Sequence, residues 1–215
     1  MDGTLLDSMS IWEEAGVRYL KSINVKPEDN LSRILFPMSL EEGAAYMKKT
    51  YRLPLSADEI ISGVLGTVKN FYYYEATLKE GAKKILARLA ELGIPVTIAT
   101  SGQKEYVIAA FRRLQVDEYV KGIFTCSEVG EGKSSPKIYH AAARFMGTAP
   151  EETWVFEDVI HAIRTAKAAG YHVVAVYDRF SEKDLEQIKE EADVYLQTFS
   201  DPGTFWKRVR EEPER

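Results

Sequence analysis

The second half of the chain alternates helical patterns with short apolar runs. Four runs have the length and the β-branched or aromatic composition of buried strands, and helical patterns near 104–113, 136–146 and 159–168 fall between them. The predicted strands are 94–99, 122–124, 153–156 and 172–177. Strands that alternate with helices of this length form a parallel sheet covered on both faces by helices. The sequence therefore predicts an α/β core from about Lys79 onward.

The first part of the chain, from Ser8 to about Tyr74, has helical spacing and little strand signal. Two stretches of it, Ser39 with Glu42 and Ser56 with Glu59, match the capping box that satisfies the first free amides of a helix. We expect a small helical unit here.

Composition restricts the classes of function. The 215 residues are 45% hydrophobic and 28% charged, which is typical of a globular protein. Lys and Arg total 28 against 33 Asp and Glu, a net charge of −5, so nucleic acid is not expected as a partner. The single cysteine, Cys126, cannot form an intrachain disulfide, and we expect a cytoplasmic location. The sequence contains no run of about 18 apolar residues, so no membrane span is predicted. We expect a monomer or a weak homo-oligomer.

Polar residues follow two of the predicted strands. Thr100 and Ser101 come after one strand, and Glu157 and Asp158 close another. In open parallel sheets, ligands bind just beyond the carboxyl ends of the strands. We expect these side chains to converge on one crevice.

A carboxylate set of Asp2, Glu157 and Asp158 contains the hard oxygen ligands that Mg²⁺ prefers. Any single acid is more often a solvated surface charge. Lys133 precedes a predicted helix, where its ammonium could pair with a phosphate, although an exposed lysine is the simpler interpretation.

The hydroxyl of Thr100 and the amides of Ser101 and Gly102 precede a helix that is predicted near Lys104, an arrangement suited to an anion. Taken alone, it could also be an ordinary helix start. A threonine, a lysine and an acid pair at three successive strand ends together indicate phosphoryl transfer with Mg²⁺.

The chain resembles the haloacid dehalogenase-like hydrolase superfamily, in the branch with a helical cap that includes phosphoglycolate phosphatase-like enzymes and β-phosphoglucomutase. Residues 2–8, Asp-Gly-Thr-Leu-Leu-Asp-Ser, resemble the latter part of the first motif of that family. Thr100 matches the second motif, Lys133 the third, and Glu157 with Asp158 the fourth. The four matches occur in order and span nearly the whole chain.

The resemblance implies a Rossmann-like, three-layer α/β/α core in residues 1–8 and 79–215, with an inserted helical cap in residues 9–78. It implies that Asp2 is the general acid and base, and that Thr100 and Lys133 hold the phosphoryl group of a small phosphorylated metabolite. Mg²⁺ would be bound by Asp158 with Glu157 and by Asp2, whose backbone carbonyl would contact it.

The resemblance also places the nucleophilic aspartate two positions before Asp2, outside the printed sequence, together with the apolar central strand that carries it. Three explanations are open. Upstream residues belong to the working protein, the chain is a non-catalytic binder of phosphate ligands, or another segment replaces the strand. Without a central strand, two strands would lack partners.

Among the activities of the family, the acidic Asp2 disfavours a dehalogenase. A phosphomutase cap carries a Lys-Gly-x-x-Arg segment, and the corresponding region, residues 33–39, lacks it. A phosphatase that acts through an aspartyl-phosphate is therefore the favoured function, with a phosphomutase or a phosphate-binding protein as the alternatives.

Overall fold

The computed structural model describes residues 1–211, which divide into two compact units. One unit contains Met1–Asp7 and the chain from Thr77 onward, and the other contains Ser8–Ala76. The two domains predicted from the sequence are a core of residues 1–8 and 79–215 and a cap of residues 9–78.

The unit Ser8–Ala76 is helical. Its helices are α1 (Ser10–Ser22), α2 (Leu31–Leu35), α3 (Leu40–Tyr51) and α4 (Ala57–Asn70), and α4 continues into a π-helical turn at Phe71–Glu75. Both predicted capping boxes are confirmed, at the starts of α3 and α4. In each box the serine hydroxyl accepts a hydrogen bond from the amide three residues later, and the glutamate accepts one from the serine amide.

Helices α1 and α4 pack closely because a glycine lies at their contact. A Cβ built on Gly63 would lie 2.1 Å from the ring of Tyr19, so a larger residue at position 63 would push the helices apart. The inward stripe of α4 is buried as well, at Ile60, Val64 and Val68. The apolar face of α4 therefore forms much of the core of this unit.

The other unit begins with a short pair of strands that the sequence did not predict. Strand β1 (Leu6–Asp7) pairs with β2 (Thr77–Leu78) in the antiparallel direction, with Leu6 opposite Leu78. The amide of Lys79 then donates to the carbonyl of Leu5 at 2.8 Å. Two-residue strands are too short to show a period of two, which is why the sequence pattern missed them.

The α/β part follows the predicted alternation. Its strands are β3 (Thr97–Thr100), β4 (Gly122–Thr125), β5 (Trp154–Glu157), β6 (His172–Val176) and β7 (Val194–Leu196). Its helices are α5 (Ala82–Glu91), α6 (Lys104–Leu114), α7 (Cys126–Val129), α8 (Lys137–Met146), α9 (Ile160–Ala168), α10 (Leu185–Glu191) and α11 (Gly203–Glu211). Short 3-10 turns occur at Asp117–Tyr119, Pro150–Glu152 and Arg179–Asp184. The predicted α/β fold class is confirmed, and the region after Tyr177 adds β7, α10 and α11, which the sequence did not predict.

The strands of this part form two parallel groups. β3 pairs with β4, and β6 lies between β5 and β7. Among residues 1–211, no strand pairs with the second edge of β3 or of β5. A cavity of about 220 Å³ is lined by both of these strands and by side chains of α5 and α8. The side chains of Val155 and Phe156 on β5 are consequently only half-buried, whereas Val173–Val176 on β6 are buried.

The first of the predicted strands starts later than expected. The ladder of β3 begins at Thr97 rather than at residue 94, because Pro95 has no amide hydrogen to donate to a neighbouring strand. The amide of Lys121 donates to the carbonyl of Val96 at 2.8 Å just before the ladder. Among residues 1–211, no helix combines the length and the apolar character that crossing a membrane requires.

Candidate active site

The carboxyl ends of β3 and β5 carry the polar residues that the sequence singled out. Thr100 is the last residue of β3, Glu157 is the last residue of β5, and Asp158 follows directly. All three are buried, with exposed fractions of 2%, 2% and 4%. Buried polar side chains require partners, so the contacts of these three residues define the site.

The turn after Met1 brings the first motif against the fourth. The Met1 carbonyl accepts hydrogen bonds from the amides of Thr4, Leu5 and Leu6, which closes a tight turn. Within this turn Gly3 has a φ of +67°, a left-handed conformation that glycine adopts at little cost. A Cβ built on Gly3 would lie 2.1 Å from the Oδ2 of Asp158. The backbone of Gly3 therefore lies directly against that carboxylate.

Thr4 binds the same carboxylate through its side chain. Its hydroxyl donates to the Oδ1 of Asp158 at 2.8 Å, and Thr4 is 2% exposed. The sequence analysis quoted Thr4 within the first motif and gave it no role. The predicted carboxylate set of Asp2, Glu157 and Asp158 places the first motif beside the fourth. That proximity could have identified Thr4 as a partner of Asp158.

Lys133 and Glu157 form a buried ion pair. The Lys133 ammonium bonds to the Oε1 of Glu157, with 12% and 2% of the two side chains exposed. Burial alone would lower the pKa of Lys133, but the charge of Glu157 raises it above its ordinary value. Burial alone would raise the pKa of Glu157, but the charge of Lys133 holds it below its ordinary value. Both groups are therefore charged, and the alternative of an exposed lysine is wrong for Lys133.

A second donor reaches the same oxygen. The hydroxyl of Tyr139 donates to the Oε1 of Glu157 at 3.1 Å, and the Oε2 of Glu157 accepts the amide of Asp158 at 3.3 Å. Sequence reasoning did not select Tyr139, because a tyrosine in an apolar helical stripe has the pattern of an ordinary core residue.

Asp158 differs from its neighbour in its partners, because its carboxylate accepts a hydrogen bond from the Thr4 hydroxyl whereas Glu157 is paired with an ammonium. Burial, followed by the negative charge of Glu157, raises the pKa of Asp158 to about 7. A nearby cation stabilises the ionised form of a buried carboxylate whose pKa is raised in this way. The electrostatics of the site therefore favour a positive ligand beside Asp158.

The residues around Thr100 form the other side of the site. The amide of Gly102 donates to the hydroxyl oxygen of Thr100 at 3.0 Å. A Cβ built on Gly102 would lie 3.3 Å from the Oγ1 of Thr100 and 3.4 Å from the Oδ2 of Asp2, so the Asp2 carboxylate lies close to this turn. The hydroxyl of Ser101 is 3.3 Å from the sulfur of Cys126 and exposed. α6 begins at Lys104 with no side-chain cap.

Only some of the predicted metal ligands are available to a hard cation. Among residues 1–211, no three His, Cys, Asp or Glu side chains are grouped as a ready metal cluster. Glu157 is engaged by Lys133 and Tyr139, as described above. Asp158 and the backbone carbonyl of Asp2 are oxygen donors of the kind that Mg²⁺ prefers.

The chain is similar in sequence to known phosphatases over most of its length. Residues 1–176 match the family model described as haloacid dehalogenase-like hydrolase. The chain is 27% identical to validoxylamine A 7'-phosphate phosphatase of Streptomyces hygroscopicus subsp. limoneus, over 94% of this chain and 92% of that protein. It is 29% identical to hexitol phosphatase A of Escherichia coli, over 82% and 80%.

The fold is similar to that of a solved structure described as a putative beta-phosphoglucomutase from Thermotoga maritima. That structure superposes with a TM-score of 0.83 and 23% identity, over 97% of this chain and 96% of the other. The similarity confirms an α/β Rossmann-like core with a helical cap.

Proposed function

Because the chain belongs to the haloacid dehalogenase-like hydrolases, we propose that it is a Mg²⁺-dependent phosphatase of small phosphomonoesters. The observation that carries the proposal is the buried Lys133–Glu157 ion pair beside Asp158, at the strand ends where Thr100 also lies. An ammonium and a hydroxyl can hold a phosphoryl group, and a buried carboxylate beside them can hold the metal ion that phosphoryl transfer uses.

In this proposal Lys133 and Thr100 hold the phosphoryl group. Lys133 is held as a cation by Glu157, so its charge is available to phosphate oxygens throughout the neutral pH range. Thr100 accepts the Gly102 amide and keeps its own hydroxyl hydrogen for donation. Ser101 and the backbone of Gly102 line the same turn and complete the proposed phosphate site.

Asp2 is the proposed general acid and base. Its carboxylate lies close to the Thr100–Gly102 turn, where a phosphate ester would present its leaving oxygen. It would protonate that oxygen as the ester bond breaks and then take a proton from the attacking water.

Asp158 and Asp2 would hold Mg²⁺, with Glu157 adding negative charge beside Asp158. When bound, Mg²⁺ neutralises charge on the phosphoryl oxygens. The fit rests on the buried Asp158 carboxylate, which accepts a hydrogen bond from the Thr4 hydroxyl and lies against the backbone of Gly3 in the first motif.

The substrate class follows from the relatives. Two of them are named hexitol phosphatase A and phosphorylated carbohydrates phosphatase. We therefore propose phosphorylated carbohydrates as the substrates. A single cysteine fits the cytoplasmic location that we include in the proposal.

The test is phosphate release from a panel of sugar, polyol and other phosphomonoesters, with Mg²⁺ and after its removal by a chelator. Because the family motif places a nucleophilic carboxylate two positions before Asp2, the assay uses the natural protein, with its N-terminus established by intact mass. We expect metal-dependent release that is greatest with phosphorylated carbohydrates. Absence of metal-dependent release across the panel would overturn the proposal.

A matched pair of lysine variants makes the assay specific. Lys133→Met removes the buried ammonium and should lower kcat/KM by about 100-fold or more, which is the usual cost of a lost charge-stabilising group. Lys137→Met removes an exposed lysine four residues later that pairs with Glu131, and it should leave the rate within about twofold. Equal effects of the two variants would contradict the role given to Lys133.

A further inference from the structure

Tyr139 is a buried tyrosine whose hydroxyl is turned toward the proposed active site. It lies in the first turn of α8, and its side chain is 3% exposed. α8 begins four residues after Lys133, so the loop that carries the lysine and the helix that carries the tyrosine are continuous. The hydroxyl donates to the Oε1 of Glu157 at 3.1 Å.

The same oxygen of Glu157 receives the Lys133 ammonium. The other oxygen of Glu157 accepts the amide of Asp158. The carboxylate is therefore fixed between three donors, and Tyr139 is the one that comes from a packed helix. A lysine has a long, flexible stem, so the position of its ammonium depends on how well its partner is fixed.

The tyrosine ring is itself held by packing. Tyr139 belongs to a buried cluster with Ile138, Ile163 and Val173, and its ring centroid is 6.0 Å from that of Tyr171. Burial, followed by the charge of Glu157, raises the pKa of Tyr139 far above its ordinary value, so the hydroxyl remains protonated. A rigid, protonated donor is suited to orienting a carboxylate.

We propose that Tyr139 is a positioning residue of the phosphate site, whose hydroxyl orients Glu157 and thereby holds the Lys133 ammonium where it meets a phosphate group. The inference rests on the proposed function for the identity of the ligand. It adds a residue that acts through Glu157 and touches neither substrate nor metal.

The test compares two variants that each remove one buried hydroxyl from the same cluster. Tyr139→Phe removes the donor to Glu157. Tyr171→Phe, the matched control, removes a hydroxyl that bonds to the Nδ1 of His140 at 2.8 Å, in a residue that is 2% exposed. Binding of inorganic phosphate in the presence of Mg²⁺ is measured by calorimetry, together with kcat and KM on a substrate that the wild type hydrolyses.

We expect Tyr139→Phe to weaken phosphate binding roughly tenfold and to lower kcat/KM by a similar factor, the scale of a lost hydrogen bond to a charged group. Tyr171→Phe should change both quantities by less than about twofold. A merely structural role for Tyr139 would lower the melting temperature and leave phosphate binding unchanged, and that result would overturn the proposal.

A double-mutant cycle tests whether Tyr139 acts through Glu157. In a Glu157→Leu background the acceptor that Tyr139 orients is absent, so adding Tyr139→Phe should change phosphate binding by less than about twofold. A full tenfold effect in that background would overturn the proposal.

Phosphate binding is independent of turnover, so the two proposals can fail separately. Turnover by the wild type with unchanged phosphate binding in Tyr139→Phe would overturn the role of Tyr139 and leave the phosphatase standing. If Tyr139→Phe weakened phosphate binding but the wild type showed no turnover, the role of Tyr139 would stand and the phosphatase proposal would be overturned. Absence of phosphate binding by the wild type would overturn both.

Discussion

The hydroxyl of Thr4 donates a hydrogen bond of 2.8 Å to the Oδ1 of Asp158, a residue 154 positions away in the chain. Both side chains are buried, and the pKa of Asp158 is raised to about 7 by burial and by the charge of Glu157. The hydrogen bond from Thr4 opposes that rise because it favours the ionised carboxylate. Thr4 therefore links the first motif to the fourth and supports the charged form of Asp158.

Replacement of Thr4 by valine keeps the shape of the side chain and removes this donor. We expect a loss of about 2 kcal/mol in the free energy of unfolding, because the buried carboxylate loses a hydrogen bond. The melting temperature should fall by roughly 4–8 °C. Thermal unfolding followed by circular dichroism measures it.

The control for Thr4→Val is Thr67→Val, which removes a hydroxyl that bonds to the carbonyl of Gly63 within α4. A threonine hydroxyl that bonds to the carbonyl four residues earlier in its own helix adds little stability. The change should therefore lower the free energy of unfolding by less than about 0.5 kcal/mol. Equal shifts for the two variants would contradict the role of Thr4.

The backbone of Gly3 provides a second prediction. Gly3→Ala adds a Cβ that would lie 2.1 Å from the Oδ2 of Asp158, in a residue with a φ of +67°. We expect a cost of at least about 3 kcal/mol, because the strain of a left-handed alanine is added to the displacement of a buried carboxylate. Denaturant unfolding measures this cost.

Gly93→Ala isolates the strain from the steric clash. Gly93 has a φ of +71°, and a Cβ built there has no neighbour within 4 Å. Its replacement should cost only about 1–2 kcal/mol. If Gly3→Ala proved no worse than Gly93→Ala, the close contact with Asp158 would be refuted.

Asp158→Asn tests the proposed metal site. Mg²⁺ at about 100 times its dissociation constant should stabilise the wild type by about 2.7 kcal/mol, and Asp158→Asn should abolish that gain because it removes an anionic ligand. In the absence of Mg²⁺ the variant should be at least as stable as the wild type, since it removes a buried charge and keeps an acceptor for Thr4. Thermal shift with and without the metal measures both effects.

The control is Asp117→Asn, an exposed acid that precedes β4, which should keep the full response to Mg²⁺. An undiminished metal-dependent shift in Asp158→Asn would place the cation elsewhere.

Asp193 gives a prediction for pH. Burial by itself would raise the pKa of Asp193, but hydrogen bonds from Lys167 and from the amide of Val173 hold it below its ordinary value of 3.8. A folded pKa below the unfolded one means that the carboxylate stabilises the protein above pH 3.8, and that this contribution is lost as the pH falls through the folded pKa.

Asp193→Asn should therefore lower the free energy of unfolding by about 1 kcal/mol at pH 7, a modest value because Lys167 is partly exposed to solvent. The difference from the wild type should shrink as the pH falls below about 4. Urea unfolding across this pH range measures it, with the exposed Glu190→Gln as the control. A difference that grows on acidification would contradict the sign.

Local patterns were sufficient for the helices and strands that alternate up to Tyr177, but they did not predict α10 and α11. The capping boxes at Ser39 and Ser56 were predicted because both partners of each box lie within one turn. β7 was missed because only three of its residues pair, which is too few for an apolar period to be recognised. The β1–β2 pair joins residues about 70 positions apart, a contact that no local pattern contains.

The sequence by itself determined the α/β alternation and the positions of Thr100, Glu157 and Asp158 at strand ends, because strand period and motif spacing are local properties of the chain. Only the tertiary structure decided that Glu157 binds Lys133 and Tyr139 and that Thr4 binds Asp158. Which buried polar groups satisfy one another depends on packing between distant segments, and the charge state of each follows from that packing.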